Sequence, residues 1–472
     1  MTKILIAAIG CALLVPSGAP AASPRGSWQG AYSLATSSRT DVAVQVGRGR
    51  ATVALGAGHA ARSTVPAQIR GKRVRFTVPG RPSLSFSGQL NGKGVLRGAV
   101  RQGTARGSFT LTRARSLPFF SRLGLYSMDG GGTIALLDLR RIGLQLWGIE
   151  MERSGFHRLY GSGTTRTIGA GFDVRTPVFG KLRTRGDAVD WAGRKATRVP
   201  VRQLEVRVGS RPGLGGTLAL PAGSGPFAAA AVVHGSGPSE RDEGQYMTAL
   251  LLRRGIAVLA YDKRGNGQSG GRYPGDQATP DTVDVLARDA QAAAAFLAAQ
   301  PEIDARRIGL VGGSQAGWII PLAASRLPQM VSWSLIESGP VVTVGQSDYF
   351  ASLTGQGAAP LSRPIEEIED DVLRAGPSGF DPAPFLHSLH IPVYWTYGGL
   401  DRNQPTGLDV PVLERLRAET GADLTWRVFP NGDHGLFEVQ TGLLSERRAS
   451  RGLSPEFVPS VDAWLQAHGL GR

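Results

Sequence analysis

The chain has 472 residues, of which 41% are hydrophobic and 65 are glycine, a composition that fits two to four folded domains of β or α/β type and excludes a disordered protein. It carries 53 Lys/Arg against 37 Asp/Glu, a formal net charge of +16. No apolar run reaches the roughly 20 residues of a membrane-spanning helix, so no transmembrane span is expected.

The N-terminus reads as an export signal. Lys3 gives a positive start, Ile4 to Val15 is an unbroken run of apolar and small residues, and Ala19-Pro20-Ala21 offers an A-x-A cleavage site. Residues 1–21 are therefore expected to be removed and the protein to work in the periplasm or outside the cell. Lipid attachment at Cys11 is disfavoured, because Ala8 stands where a lipobox has leucine. Cys11 is the only cysteine, so the mature chain has no disulfide, no thiol nucleophile and no thiolate metal site. A domain of this size needs no such staples.

Charge divides the remainder. Residues 23–200 hold 29 Lys/Arg and 8 Asp/Glu, whereas 201–472 hold 23 and 29. The bases are scattered through β-type segments. No nucleic-acid partner is expected, and a weak attraction to anionic envelope material is the most that the basic half implies. Residues 22–115 read as an antiparallel barrel or sandwich, with strands at Val42–Val46, Ala51–Leu55, Val74–Val78, Leu84–Leu90, Val95–Val100 and Ser108–Leu111. Asn91-Gly92 between alternating runs is a hairpin signal. His59 there has no evident partner. Residues 116–199 read as a second β-rich segment, with strands at Thr133–Leu139, Ile142–Ile149 and Phe172–Arg175.

From about 200 strand and helix signals alternate, which implies a mainly parallel sheet with helices on both faces. Leu204–Val208 and Thr217–Leu220 open it. Ala228–Val233 runs into His234-Gly235-Ser236-Gly237-Pro238, and Ile256–Tyr261 into Asp262-Lys263-Arg264-Gly265-Asn266-Gly267. Helices are expected at Tyr246–Arg254, Thr282–Ala299 and Pro455–Ala467, and further strands at Ser332–Ile336, Pro392–Tyr397 and Thr425–Phe429. An insertion over about 340–390 has the position of a cap over a site.

The chemistry centres on Arg307–Ile320. An apolar run ends in Gly312-Gly313, then Ser314, Gln315, Ala316, Gly317 and a helix-like segment. Strand, sharp turn and helix with serine at the apex describe a nucleophile elbow, although the spacing here is G-x-S-x-A-G rather than G-x-S-x-G. A glycine-rich phosphate loop is the competing reading. A serine hydroxyl needs a base, and the base an orienting acid. Among the seven histidines, His434 lies in a Gly-flanked loop after a strand, whereas His468 sits in a terminal helix. Asp401 follows the strand Pro392–Tyr397 and is the expected acid, with Asp409 as its rival; Asp433, beside His434, points elsewhere in an extended loop. The oxyanion needs two backbone donors. The N–H of Gln315 supplies one, and that of Ser236 the other, with Gly235 as the alternative.

On these pieces, residues about 200–472 resemble the α/β-hydrolase superfamily, in particular its bacterial branch of serine aminopeptidases and dipeptidyl-peptidase-like esterases. The matching segments are the His234–Pro238 loop, Tyr261–Ser269 (similar to that branch's D-x-R-G-x-G-x-S turn), the elbow, and Asp401 with His434. The resemblance implies a Ser-His-Asp acyl-transfer enzyme without metal or organic cofactor, and a structural pairing of Asp262 with Arg264. It does not cover residues 23–199. Carboxylic-ester hydrolysis is the expected reaction. A peptidase is the alternative, with Glu366, Glu367, Glu369, Asp370 and Asp371 as candidate binders of a substrate ammonium; a chain that binds envelope material through its basic β domains is another.

Overall fold

A computed structural model describes residues 23–34, 40–47, 49–55, 62–80, 82–92, 94–113, 124–139, 146–161 and 163–471. The expected export signal, Cys11 and His59 lie outside these.

The first compact unit ends at residue 114. It is an eight-stranded antiparallel barrel running in chain order from β1 (Gly26–Leu34) to β8 (Ala105–Arg113), closed by pairing of these two. Two of its strands, Gly26–Leu34 and Arg62–Arg70, escape the sequence pattern. The rest follow it: Arg73–Val78 alternates exposed Arg73, Arg75 and Thr77 with buried Val74, Phe76 and Val78. The interior is filled by side chains that include Trp28, Phe76, Phe86 and Phe109. Asn91 closes the expected turn by accepting from the Val95 N–H at 2.9 Å.

A second closed barrel runs from β9 (Leu125–Met128) to β16 (Arg194–Arg198), each strand pairing with the next and β9 pairing with both β16 and β10 (Thr133–Asp138). Phe172–Arg175, read as a strand from sequence, is irregular: Phe172 donates its N–H to the Ser450 carbonyl and stacks on Trp147 instead of joining a ladder. The strands at 155–160, 165–168, 180–185 and 188–191 are four to six residues long, too short to show a hydrophobic period, and all but the last carry arginine.

This barrel and the rest of the chain form one compact unit. Its sheet has the order β17-β18-β20-β19-β21-β22-β23-β24, where β17 is Val201–Val208, β18 Leu214–Pro221, β19 Phe227–Val233, β20 Ala257–Tyr261, β21 Ile303–Gly313, β22 Val331–Glu337, β23 Val393–Gly398 and β24 Leu424–Phe429. β18 is antiparallel to β17 and β20; the remaining neighbours are parallel. Buried on both faces, β19 reads Phe-Ala-Ala-Ala-Ala-Val-Val, as central parallel strands do. One face packs α2 (Pro280–Ala298) and α3 (Ala316–Ser325); the other packs α1 (Gln245–Leu252) and α9 (Phe457–Ala467). α2 starts where its sequence directs: Thr279 caps the Thr282 N–H and Pro280 takes the first turn.

The core under α1 and α9 is shared with the second barrel. Leu137, Trp147, Ile149, Phe156 and Phe172 pack in one cluster with Leu250, Tyr394, Phe429, Phe437, Phe457 and Trp464. The insertion after β22 forms α4 (Val344–Thr354), α5 (Ile365–Ala375) and α6 (Ala383–His387). α7 (Thr406–Thr420), which the sequence reading lacks, follows β23, and a short α8 (Leu444–Arg447) precedes α9. No helix among the described residues is long and apolar enough to cross a membrane.

Candidate active site

β21 delivers Ser314 and β23 is followed by Asp401 and β24 by His434, all at the carboxyl ends of parallel strands, where open α/β sheets bind ligands. The elbow is visible in the backbone. Ser314 has φ +55°, a left-handed conformation that costs a side-chain-bearing residue strain. Its N–H bonds to the Glu337 carbonyl of β22 at 2.9 Å and its carbonyl accepts from Gly317 at 2.8 Å. A Cβ on Gly312 would stand 2.2 Å from the Val233 carbonyl oxygen, and one on Gly317 2.6 Å from the Gly339 backbone. These crossings explain the G-x-S-x-A-G spacing: Ala316 fits, and glycine is required one place later, where the chain beyond β22 passes.

Asp401 and His434 meet. His434 Nδ1 donates to Asp401 Oδ2 at 2.8 Å, and the Asp401 side chain is fully buried. The other carboxylate oxygen, Oδ1, accepts from the Asn403 and Gln404 N–H groups at 2.6 and 3.0 Å, which fixes the carboxylate's orientation. The two loops are joined by a bond from the Leu400 N–H to the Gly432 carbonyl at 2.9 Å. No hydrogen bond among the described residues joins the Ser314 hydroxyl to His434. Such bonds are often loose before substrate binds.

The rival residues have other work. Asp409 Oδ1 accepts from the N–H groups of Val341 and Val342 at 2.8 and 3.0 Å, and burial pushes its carboxyl up to about 8. Asp433 accepts from Gly435 N–H at 2.8 Å and from Arg447 Nε at 2.7 Å, shaping the histidine loop. His468 bonds to the Trp464 carbonyl and to Asp423. His234 donates Nε2–H to the Tyr261 carbonyl, and burial lowers its basicity.

The His234–Pro238 loop faces Ser314: a Cβ on Gly235 would lie 3.3 Å from Ser314 Cβ and 3.9 Å from its Oγ. Ser236 is exposed on that loop, and Gln315, 1% exposed, stands at the start of α3.

One expected contact is different. Asp262 does not pair with Arg264. It takes the Arg241 guanidinium, with Nη2 to Oδ2 at 2.8 Å and Nε to Oδ1 at 3.1 Å, and Arg264 pairs with Asp289 of α2 at 2.6 and 2.5 Å. Burial opposes the Asp262 charge, but the Arg241 bonds outweigh it and hold the carboxyl below the usual range. Arg241 and Asp289 lie far from the motif in sequence, and no local pattern marks them. Two further groups beside the elbow went unread. Lys263 is 2% exposed. Burial pushes the Glu337 carboxyl up to about 8, and its Oε1 is occluded without a hydrogen-bond partner among the described residues. No group of three or more His, Cys, Asp or Glu among the described residues has the geometry to hold a metal.

Residues 225–368 match the family described as serine aminopeptidase, S33. Esterase EstD of Thermotoga maritima is 28% identical over 172 residues, 34% of this chain and 34% of that protein. The acylamino-acid-releasing enzyme of Rattus norvegicus is 25% identical over 231 residues, 47% of this chain and 28% of that one. The chain thus spans only about a third of these relatives' lengths. Among solved structures, acylaminoacyl peptidase of Pyrococcus horikoshii aligns with 90% of this chain and 79% of its own at 13% identity and a TM-score of 0.43. An esterase of Pyrococcus furiosus covers 56% of this chain and 90% of its own at 17% identity and a TM-score of 0.41. Residues 225–368, the part of the α/β sheet that carries β19 to β22 and Ser314, are thus similar to the family of serine aminopeptidase, S33.

Proposed function

We propose that the protein is an exported hydrolase that cleaves carboxylic esters through an acyl-enzyme. The observation that carries this is the 2.8 Å Asp401–His434 bond after β23 and β24, at the same carboxyl edge of the sheet as a serine held at φ +55° after β21. Ser314 Oγ attacks the ester carbonyl carbon while His434 Nε2 takes its proton. Asp401 keeps Nδ1 protonated and stabilises the imidazolium. The N–H groups of Gln315 and Ser236 receive the oxyanion. As the carbon–oxygen bond breaks, His434 returns the proton to the departing alcohol. Water, deprotonated by the same imidazole, then releases the acid and restores Ser314.

Ester over amide is supported by the state of the acidic helix. A peptidase that grips a substrate ammonium needs free carboxylates sheltered from bulk water, where the attraction is not screened. Asp371 is engaged by Arg363 and Arg374, and Glu369 accepts from the Gly407 N–H. Glu366, Glu367 and Asp370 are exposed to solvent. The relatives include both an esterase and an acylamino-acid-releasing enzyme, so the decisive comparison is direct. Turnover of p-nitrophenyl acyl esters should exceed that of aminoacyl and dipeptidyl p-nitroanilides. The reverse order would make the protein a peptidase. Export is checked by sequencing the mature N-terminus, which should fall near Ala22. The basic N-terminal region adds at most weak attraction to anionic envelope material.

A further inference from the structure

Lys263 occupies the variable place in the Asp262–Gly265 turn after β20, and its neighbours Asp262 and Arg264 are spoken for by Arg241 and Asp289. Its ammonium, almost wholly buried, forms no ion pair among the described residues. Instead it donates to three neutral oxygens: the Gly235 carbonyl at 2.6 Å, the Gly237 carbonyl at 3.1 Å and Gln315 Oε1 at 3.2 Å. The first two flank Ser236, and the third belongs to the residue that carries the other oxyanion donor.

We propose that Lys263 is the positioning residue of the oxyanion hole, one ammonium that ties the His234–Pro238 loop to the start of α3 and sets the spacing of the two N–H donors. This rests on the Ser314 reading above. Three donors meet three acceptors, so both loops are fixed by one rigid group. The Gly235 carbonyl and the Ser236 N–H belong to one peptide unit, and a carbonyl that accepts from a cation leaves its own N–H a stronger donor. Lys263 therefore both places and polarises that donor. The Gln315 amide shows the constraint: an ammonium has no acceptor to offer, so Oε1 must face it, and Nε2 is left buried without a partner among the described residues. A side chain free to turn would not settle there.

Burial lowers the Lys263 ammonium to about 8 against the pull of Glu243, Asp276 and Asp289. His234 faces it from the loop, the Tyr273 ring lies 5.7 Å from Nζ, and Asp262 and Arg264 flank it on its own turn. Above that pH the neutral amine keeps two N–H groups for three acceptors and sets a lone pair against an oxygen. Turnover should therefore fall on the alkaline side while KM holds.

The test is kcat and KM for p-nitrophenyl acetate from about pH 6 to 10, with thermal unfolding, for wild type, Lys263→Met and Lys263→Arg. Lys263→Met should lower kcat on the order of 10–100-fold, somewhat less than removal of an oxyanion donor itself. It should leave KM within about twofold and abolish the alkaline fall. Its Tm should fall modestly, because the Gly235, Gly237 and Gln315 oxygens lose their donor, so turnover is compared well below both melting temperatures. Lys263→Arg should recover part of the turnover and carry it past pH ~9, since a guanidinium stays charged. An unchanged kcat and alkaline limb in Lys263→Met would overturn the proposal, as would a loss of kcat that only tracks a loss of Tm. Should Lys263→Met not fold, a wild-type alkaline limb that Lys263→Arg leaves in place overturns it equally. Wild type without esterase activity sinks the reading of the site itself, whereas active wild type with an equally active Lys263→Met sinks Lys263 alone.

Discussion

At the scale of residues, two buried aspartates after β23 separate by what they touch. Asp401 holds His434, and Asp409 holds the backbone of residues 341 and 342. Asp401→Asn should cost on the order of 10³–10⁴-fold in kcat by leaving the imidazole in the wrong tautomer, with little change in Tm. Asp409→Asn should leave kcat near wild type and change the pH dependence of stability. The Asp409 carboxyl, raised to about 8 by burial, stays protonated in the folded chain at pH values where the unfolded chain has released that proton. The folded state then binds more protons, so stability falls as pH rises from about 4 towards 8. Thermal melts of Asp409→Asn should show a shallower fall over that range; Glu337, raised for the same reason, supplies the remainder. The turn at Ser314 and the Asp401–His434 contact could be read from the sequence because each residue follows a strand in a fixed order. The partners of Asp262 and Lys263 could not, because Arg241, Gly235 and Gln315 reach them only through the fold.

At the scale of elements, the loop that carries His434 is held from two sides. Asp433 and Arg447 shape it within the α/β domain. From the second barrel, Phe156 and Phe172 close on Phe437 with ring centroids 5.4 and 4.6 Å away. Backbone bonds extend the contact: the Phe156 N–H donates to Arg451, Leu453 to Ser154, and Glu438 to Gly452. Phe156→Ala should therefore destabilise the protein by about 3 kcal/mol or more, read by denaturant melts, and should lower kcat because the histidine loop loses a wall. A stable Phe156→Ala enzyme with full kcat would show that the barrel does not support the loop. Sequence pattern missed this relation. Apart from Ala188–Trp191, the strands between 155 and 198 carry Arg, Lys or Thr, and each strand buries only one to three residues. The long-period signals of α2 and of the fully buried strands β19 and β23 are strong by comparison.

At the scale of the whole molecule, the change in charge and pattern near residue 200 suggests a boundary between the β-rich part and the α/β part. The packing argues for a different cut. The chain divides into compact units at residue 114, and the second barrel shares its core with the α/β sheet. A chain beginning at residue 115 should fold and keep wild-type kcat on a small ester. A chain beginning at residue 200 strips the cover from Tyr394, Phe429 and Phe437 and should aggregate or lose most activity. Equal behaviour of the two truncations, by circular dichroism and turnover, would remove the case for a shared core. The mainly parallel sheet was legible because strand and helix signals alternate from residue 200 onward, whereas the exchange of β19 and β20 in the strand order has no local signal.

The most direct measurement is labelling with a fluorophosphonate probe followed by peptide mapping. Wild type should carry one adduct, on Ser314, and Ser314→Ala should lose both the adduct and p-nitrophenyl acetate cleavage while keeping its Tm. An adduct on another residue, or ester cleavage that survives in folded Ser314→Ala, would contradict the assignment of Ser314 as the nucleophile.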